Sequence, residues 1–127
     1  MNQRMKLVFE HVATHLLTQN AKAQVKGKAT KYYEDNEEEA NMTCAYRSPD
    51  GLRCAIGSII LDSVYDPILE GKTIVSMEVQ EAVEKSVRFE LDADDIQLLD
   101  RLQHIHDITG VETWPTRLDE IRKELFS

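Results

Sequence analysis

Cys44-Ala45-Tyr46-Arg47-Ser48-Pro49-Asp50-Gly51-Leu52-Arg53-Cys54-Ala55-Ile56-Gly57 is the densest stretch of the chain. Ser48-Pro49-Asp50-Gly51 is turn chemistry, since proline presets φ and glycine accepts a positive one. The flanks, residues 43–47 and 52–56, are each short enough for a strand, so the spacing predicts a β-hairpin closed by Arg47 and Leu52. In that register Tyr46 faces Arg53, Ala45 faces Cys54 and Cys44 faces Ala55. Small side chains at these positions require something packed close against one face. Gly57 then turns the chain into residues 58–65, where Ile59, Ile60 and Val64 suggest a short buried helix ended by Asp66-Pro67.

Upstream, Met5, Val8, Val12 and Leu16 recur at helical spacing with Phe9, Ala13 and Leu17 beside them, which predicts a helix over residues 4–19. This is the element expected to cover the hairpin. Between the two lies a segregated run of charge. Lys22, Lys26, Lys28 and Lys31 precede Glu34-Asp35-Asn36-Glu37-Glu38-Glu39. With few apolar residues to pack, the stretch at about 21–41 is expected to be a mobile insert in a single domain spanning 1–127.

Downstream, Val75, Val79, Val83 and Val87 repeat every four residues and predict a helix over 75–87. Asp92 is placed as the N-cap of the next helix, with Asp94 and Asp95 in its first turn. Leu98, Leu99, Leu102 and Ile105 form its apolar face, and Gly110 takes the position just past its end. A last helix begins near Thr113-Trp114-Pro115 and carries Leu118, Ile121, Leu125 and Phe126. The expected fold class is therefore α+β, a mostly helical single domain with one small β-hairpin. Amphipathic helices around so small a hairpin leave apolar surface to cover, which a homodimer would satisfy.

The 127 residues hold 15 Lys and Arg against 23 Asp and Glu, a net charge of −8. That balance disfavours direct nucleic-acid binding and docking on an anionic membrane, both of which call for cationic surface. No apolar run approaches bilayer-spanning length, and no secretory leader is evident, so the cytoplasm of a bacterial cell is the expected location. There the two cysteines, Cys44 and Cys54, should be reduced.

The segments Cys44-x-Tyr46-Arg47…Gly51…Cys54-Ala55-Ile56-Gly57, His15-Leu-Leu-Thr-Gln19, Tyr65-Asp66-Pro67…Glu70-Gly71 and Leu102-Gln-x-Ile-His106-Asp107 together resemble a family of small phage and bacterial proteins with no assigned activity. The resemblance spans most of the chain and implies a phage or prophage source without implying a reaction. The long insert over residues 22–39 departs from the pattern, since relatives tend to be short there.

Four sets of residues carry possible chemistry. Cys54, His106 and Asp107 have the types of a thiol nucleophile, a base and an orienting acid, but apolar neighbours around Cys54 favour an inert thiol. His11 and His15, four residues apart, share a helix face that can grip a metal, yet lack the intervening glutamate of hydrolytic zinc helices. No metal or cofactor is expected. Tyr46, Arg47 and Arg53, with Asp107 as an ion-pair partner, suggest either an internal network or a small-ligand pocket, for instance for a nucleotide signal. Lys28, Lys31, Glu34, Asp35, Glu37, Glu38 and Glu39 are the candidate partner-binding residues of the insert. No phosphate loop, nucleophile elbow or cysteine-pair zinc array is present in the sequence. The expected function is a phage-encoded accessory protein that binds and inhibits a host bacterial protein, for instance one of a defence system, without catalysis. A small-molecule binding protein is the alternative, and a cysteine enzyme is third.

Overall fold

The structure, a computed structural model, describes residues 2–26 and 42–127. Four α-helices form the body: α1 (Gln3–Gln19), α2 (Met77–Val87), α3 (Ala93–Ile108) and α4 (Trp114–Phe126). Two three-residue strands, β1 (Gln24–Lys26) and β2 (Met42–Cys44), pair antiparallel with Val25 opposite Thr43. Among the described residues, no helix is long and apolar enough to cross a membrane.

The helices end where local chemistry ends them. The Asn2 side chain accepts from the Met5 amide to start α1, and Asn20 closes it in the left-handed region at φ 50°. Ser76 caps α2. Asp92 and Asp95 form a reciprocal capping box at the start of α3, each carboxylate accepting the other's amide at 2.8 and 3.0 Å. Asp95 is buried in this role, so only part of the acidic cluster at residues 90–95 faces solvent.

Met5, Phe9, Val12, Ala13 and Leu16 bury one face of α1. That face meets Leu98, Leu99, Leu102 and Ile105 of α3 and Trp114, Leu118 and Ile121 of α4 in one core. Phe9 and Phe126 stand with ring centroids 5.3 Å apart, and Arg122 reaches Glu10 at 2.8 Å across the same seam. Complete burial of a Phe or Leu side chain is worth about 1.5–3 kcal/mol, so this helix-on-helix core outweighs any contribution from the short strands.

The expected α+β class with a hairpin is overturned: the fold is helical, and among the described residues no sheet layer underlies it beyond the three-residue pairing. Within residues 43–56 the two flanks meet at a single bridge, Arg47 opposite Arg53. The register is one residue off the expected one. Ser48 causes the offset, because its amide donates to the Leu52 carbonyl and its hydroxyl accepts the Leu52 amide at 3.0 Å, widening the turn by a residue. Past Cys54 the chain does not stay extended. Successive bonds from Ser58 to Cys54 and from Ile59 to Ile56 coil it into turns.

The buried helix expected over 58–65 is likewise a run of turns. Ile56, Ile59 and Ile60 are buried as expected, but the chain reaches that burial without a continuous helical ladder.

The insert expected over 21–41 is tied down at its start. Ala23 is fully buried, and residues 24–26 pair with 42–44. Residues 27–41, and with them Lys28, Lys31, Glu34, Asp35, Glu37, Glu38 and Glu39, lie outside the described residues.

Candidate functional site

The apolar stripe of α3 runs Leu99, Leu102 and then His106, a histidine where a leucine would be expected, and its side chain is wholly buried. Its ring lies near-parallel to Trp114, with centroids 5.6 Å apart. Nε2 accepts the Ala23 amide at 2.9 Å, so Nδ1 carries the ring proton and donates to Asp107 Oδ1 at 2.7 Å. The same carboxylate oxygen accepts Gln103 Nε2 at 2.8 Å, while Gln103 Oε1 accepts the Ile56 amide at 3.0 Å. α3 is thereby joined to the start of β1 on one side and to the 54–60 turns on the other.

Cys44 is the cysteine beside this pair, not Cys54. Donor atoms of Cys44, His106 and Asp107 all lie within 4.8 Å of one another. Three such ligand types within that distance are a metal-like set, but the tautomer opposes it. A neutral imidazole has one nitrogen lone pair, and Ala23 already uses it, so a metal at Nδ1 would have to break the Ala23 bond.

Nucleophilic catalysis is disfavoured on the same residues. Burial, and then the hydrogen bond to Asp107, push the Cys44 thiol up to about 12. Cys54 is fully buried, its thiol is pushed up by burial, and its sulfur accepts the Gly57 amide at 3.3 Å. Both thiols should therefore resist iodoacetamide at neutral pH in the folded protein and react fully after denaturation. Fast labelling of either under native conditions, read by intact-mass spectrometry, would contradict this assignment.

The arginines do not meet Asp107. Arg47 and Arg53 share Asp62 Oδ1, at 2.7 and 3.0 Å. Arg47 also donates to the Ile60 carbonyl at 2.8 Å and lies 4.5 Å over the Tyr65 ring. Tyr46 turns the other way, its hydroxyl donating to the Lys72 carbonyl. Its expected pairing with Arg53 is replaced by Arg47 on Tyr65. Of the proposed ligand residues, Tyr46 and Asp107 border one cavity, and Arg47 and Arg53 are not part of it.

Glu70 was not among the candidate site residues, yet it holds this region together. Its carboxylate accepts the amides of Tyr46 and Arg47 at 2.9 and 3.2 Å and the Tyr65 hydroxyl at 2.6 Å. The Tyr65…Glu70 spacing was visible only as part of the family resemblance.

His11 and His15 do share a face, and Gln19 extends it by another four residues. His11 Nε2 bonds the Ser58 carbonyl at 2.8 Å, and His15 Nε2 bonds the Arg53 carbonyl at 2.9 Å. Gln19 donates to that same carbonyl and accepts the Arg53 amide at 2.9 Å. This stripe fastens α1 to the 53–58 turns and is not a metal grip.

Burial lowers the pKa of His15 below its ordinary 6.5, outweighing the opposing bond to Arg53. The unfolded chain therefore takes up that proton more readily than the folded one. Stability contributed here is full above about pH 6.5 and declines as pH falls through that value toward the folded pKa. The urea midpoint should drop between about pH 7.5 and about pH 5.5, and less so in His15→Gln, which can keep the bond without titrating. An unchanged pH slope in His15→Gln would show that the loss arises elsewhere.

Among the openings that border these joints are a cavity and a groove. One, of about 420 Å³, lies between α3 and residues 71–74, with Cys44, Tyr46 and Ile56 among its lining. The other is a groove of about 410 Å³ between α1 and residues 58–61 and 87–89. Comparison of the chain with protein-family models, curated proteins and solved structures finds no match, so what these openings do must be argued from their own residues.

Proposed function

We propose that this is a phage-encoded accessory protein that acts by binding a host bacterial protein and inhibiting it, with no catalysis of its own. The observation that carries the binding reading is the groove along α1. Leu7 and Leu61 are 65% and 47% exposed on it, with Val8, Ile59, Val87 and Phe89 behind them. Arg4 lies 4.5 Å over the Phe89 ring at its edge. A contiguous apolar groove with a charged rim is the anatomy of a protein-binding surface. The phage source is supported by the four segments that resemble small phage proteins, and the insert by its segregated charge.

The chemistry-bearing side chains also favour binding over reaction. His11, His15 and His106 all bond the backbone, and Arg47 and Arg53 are engaged by Asp62.

The test is affinity capture from bacterial lysate with three baits: the full chain, the chain lacking residues 28–39, which keeps Ala23 and β1, and the Leu7→Glu/Leu61→Glu double variant. Both leucines are exposed, so the double variant should fold. The full chain should retain one stoichiometric host protein, and the double variant should lose it by at least about tenfold, the scale of a central hot spot. Loss on deleting 28–39 assigns the insert to the same interface. A full-length bait that retains nothing, or equal capture by the groove variant, would overturn the proposal.

A further inference from the structure

The cavity against α3 differs in character from the groove. Asp100, Gln103, His104 and Asp107 project along one wall at helical spacing, and Tyr46, Ile56 and Ile74 form an apolar wall opposite. Its volume, about 420 Å³, suits a small ligand.

Asp107 gives the cavity its sign. The donors on its carboxylate, His106 Nδ1–H, the Gln103 amide and the Cys44 thiol, are all neutral. Lys22 reaches the Asp107 backbone carbonyl at 3.4 Å instead of the carboxylate. Lys72, the cation on the cavity wall, is paired with Glu78 at 3.5 Å. Among the described residues, no Lys or Arg nitrogen makes an ion pair with Asp107 or Asp100. Burial opposes the charge on Asp107, yet the donors from His106 and Cys44 outweigh it and hold the carboxyl below its usual range. A half-buried carboxylate held by neutral donors, with no Lys or Arg partner among the described residues, is an incomplete ion pair. Asp100 adds a second negative charge on the same wall.

We propose that this cavity binds a small organic cation, with a primary ammonium group on the Asp107 carboxylate and a hydrocarbon body against Ile56, Ile74 and Tyr46. Asp107 Oδ1 already accepts from His106 and Gln103, which fixes the carboxylate plane. Asp100 strengthens the field without needing contact. The site is separate from the α1 groove, so it stands or falls independently of the protein-binding proposal.

The test is titration of the full chain with benzylamine hydrochloride, followed by amide ¹H–¹⁵N spectra, with benzyl alcohol as the neutral match. Saturable shifts are expected in residues 71–74 and 100–108 with the amine and not with the alcohol. Asp107→Asn should weaken binding at least tenfold. Asp100→Asn, at an exposed position that leaves the fold intact, should weaken it severalfold, so the proposal does not depend on how Asp107→Asn folds. Asp62→Asn, outside the cavity, should change nothing. Equal binding of benzyl alcohol, shifts located elsewhere, no saturable shift at millimolar amine, or undiminished binding in Asp100→Asn would each overturn it.

Discussion

Replacing Gly57 by alanine should destabilise the protein by about 3 kcal/mol or more, because the new methyl has nowhere to go. A Cβ at this position would overlap the Tyr46 carbonyl oxygen and stand 2.8 Å from the carbonyl carbon and 3.0 Å from Cα. These are backbone atoms and cannot rotate away. Tyr46 is also pinned from three sides: its amide by Glu70, its carbonyl by the Cys54 amide, and its hydroxyl by the Lys72 carbonyl. Relief would have to come from moving the whole 44–47 segment. Gly51 and Gly71 make the contrast. Both have positive φ but open space around them, so alanine there should cost only about 1–2 kcal/mol, the left-handed penalty. Urea midpoints of the three variants measure this directly. A Gly57→Ala midpoint no lower than that of Gly51→Ala would mean the close approach is not a constraint.

His106→Leu should cost about 2–4 kcal/mol although leucine matches the apolar stripe of α3. The substitution leaves the buried Ala23 amide without an acceptor and takes one donor from Asp107, each carrying a desolvation penalty. The stacking on Trp114 is lost as well. The damage should be directional. The Ala23 amide, protected in the parent protein, should exchange rapidly in the variant, while amides in the middle of α1 lose protection only in proportion to global stability. An Ala23 amide that stays as protected as its α1 neighbours would show that His106 is not its partner. His11→Ala, which removes an exposed bond to the Ser58 carbonyl, should cost less than about 1 kcal/mol.

Local rules were enough to find the helices. The spacing of Met5, Val8, Val12 and Leu16 marks α1, although its buried face takes Phe9 and Ala13 and leaves Val8 half-buried and Leu17 exposed, and Asp92 caps α3 where its side chain predicts. Val75 shows where periodicity overreaches: it continues the valine repeat but stands 74% exposed, because Ser76 caps α2 after it. The hairpin failed for a different reason. Turn residues at 48–51 were correctly placed, yet the Ser48 hydroxyl shifted the register and the Gly57 approach to Tyr46 coiled the chain that strand spacing would have extended.

The joints between segments were legible as residue types but not as pairs. His15 and Gln19 meet Arg53 through its backbone, so the identity of the partner leaves no trace in the sequence. Asp62 and Glu70 lie in irregular segments where no period singles them out, and Asp62 took the role expected of Asp107. His106 was visible as a candidate base beside Cys54 and as part of the resemblance, and not as a core residue. Its tautomer, set by an alanine amide 83 residues away, was not.

His11, His15 and His106 serve as internal joints, which leaves the groove and the Asp107 cavity open for binding. A long-range ¹H–¹⁵N spectrum of the imidazole rings near neutral pH tests it most directly. His106 should appear as the Nδ1–H tautomer, its Nε2 accepting from Ala23, while His15 should appear as Nε2–H, donating to the Arg53 carbonyl. A His106 ring in the Nε2–H form would contradict the assignment. It would release the Ala23 amide, free Nδ1 to bind a metal or act as a base, and return Cys44, His106 and Asp107 to consideration as a reactive centre.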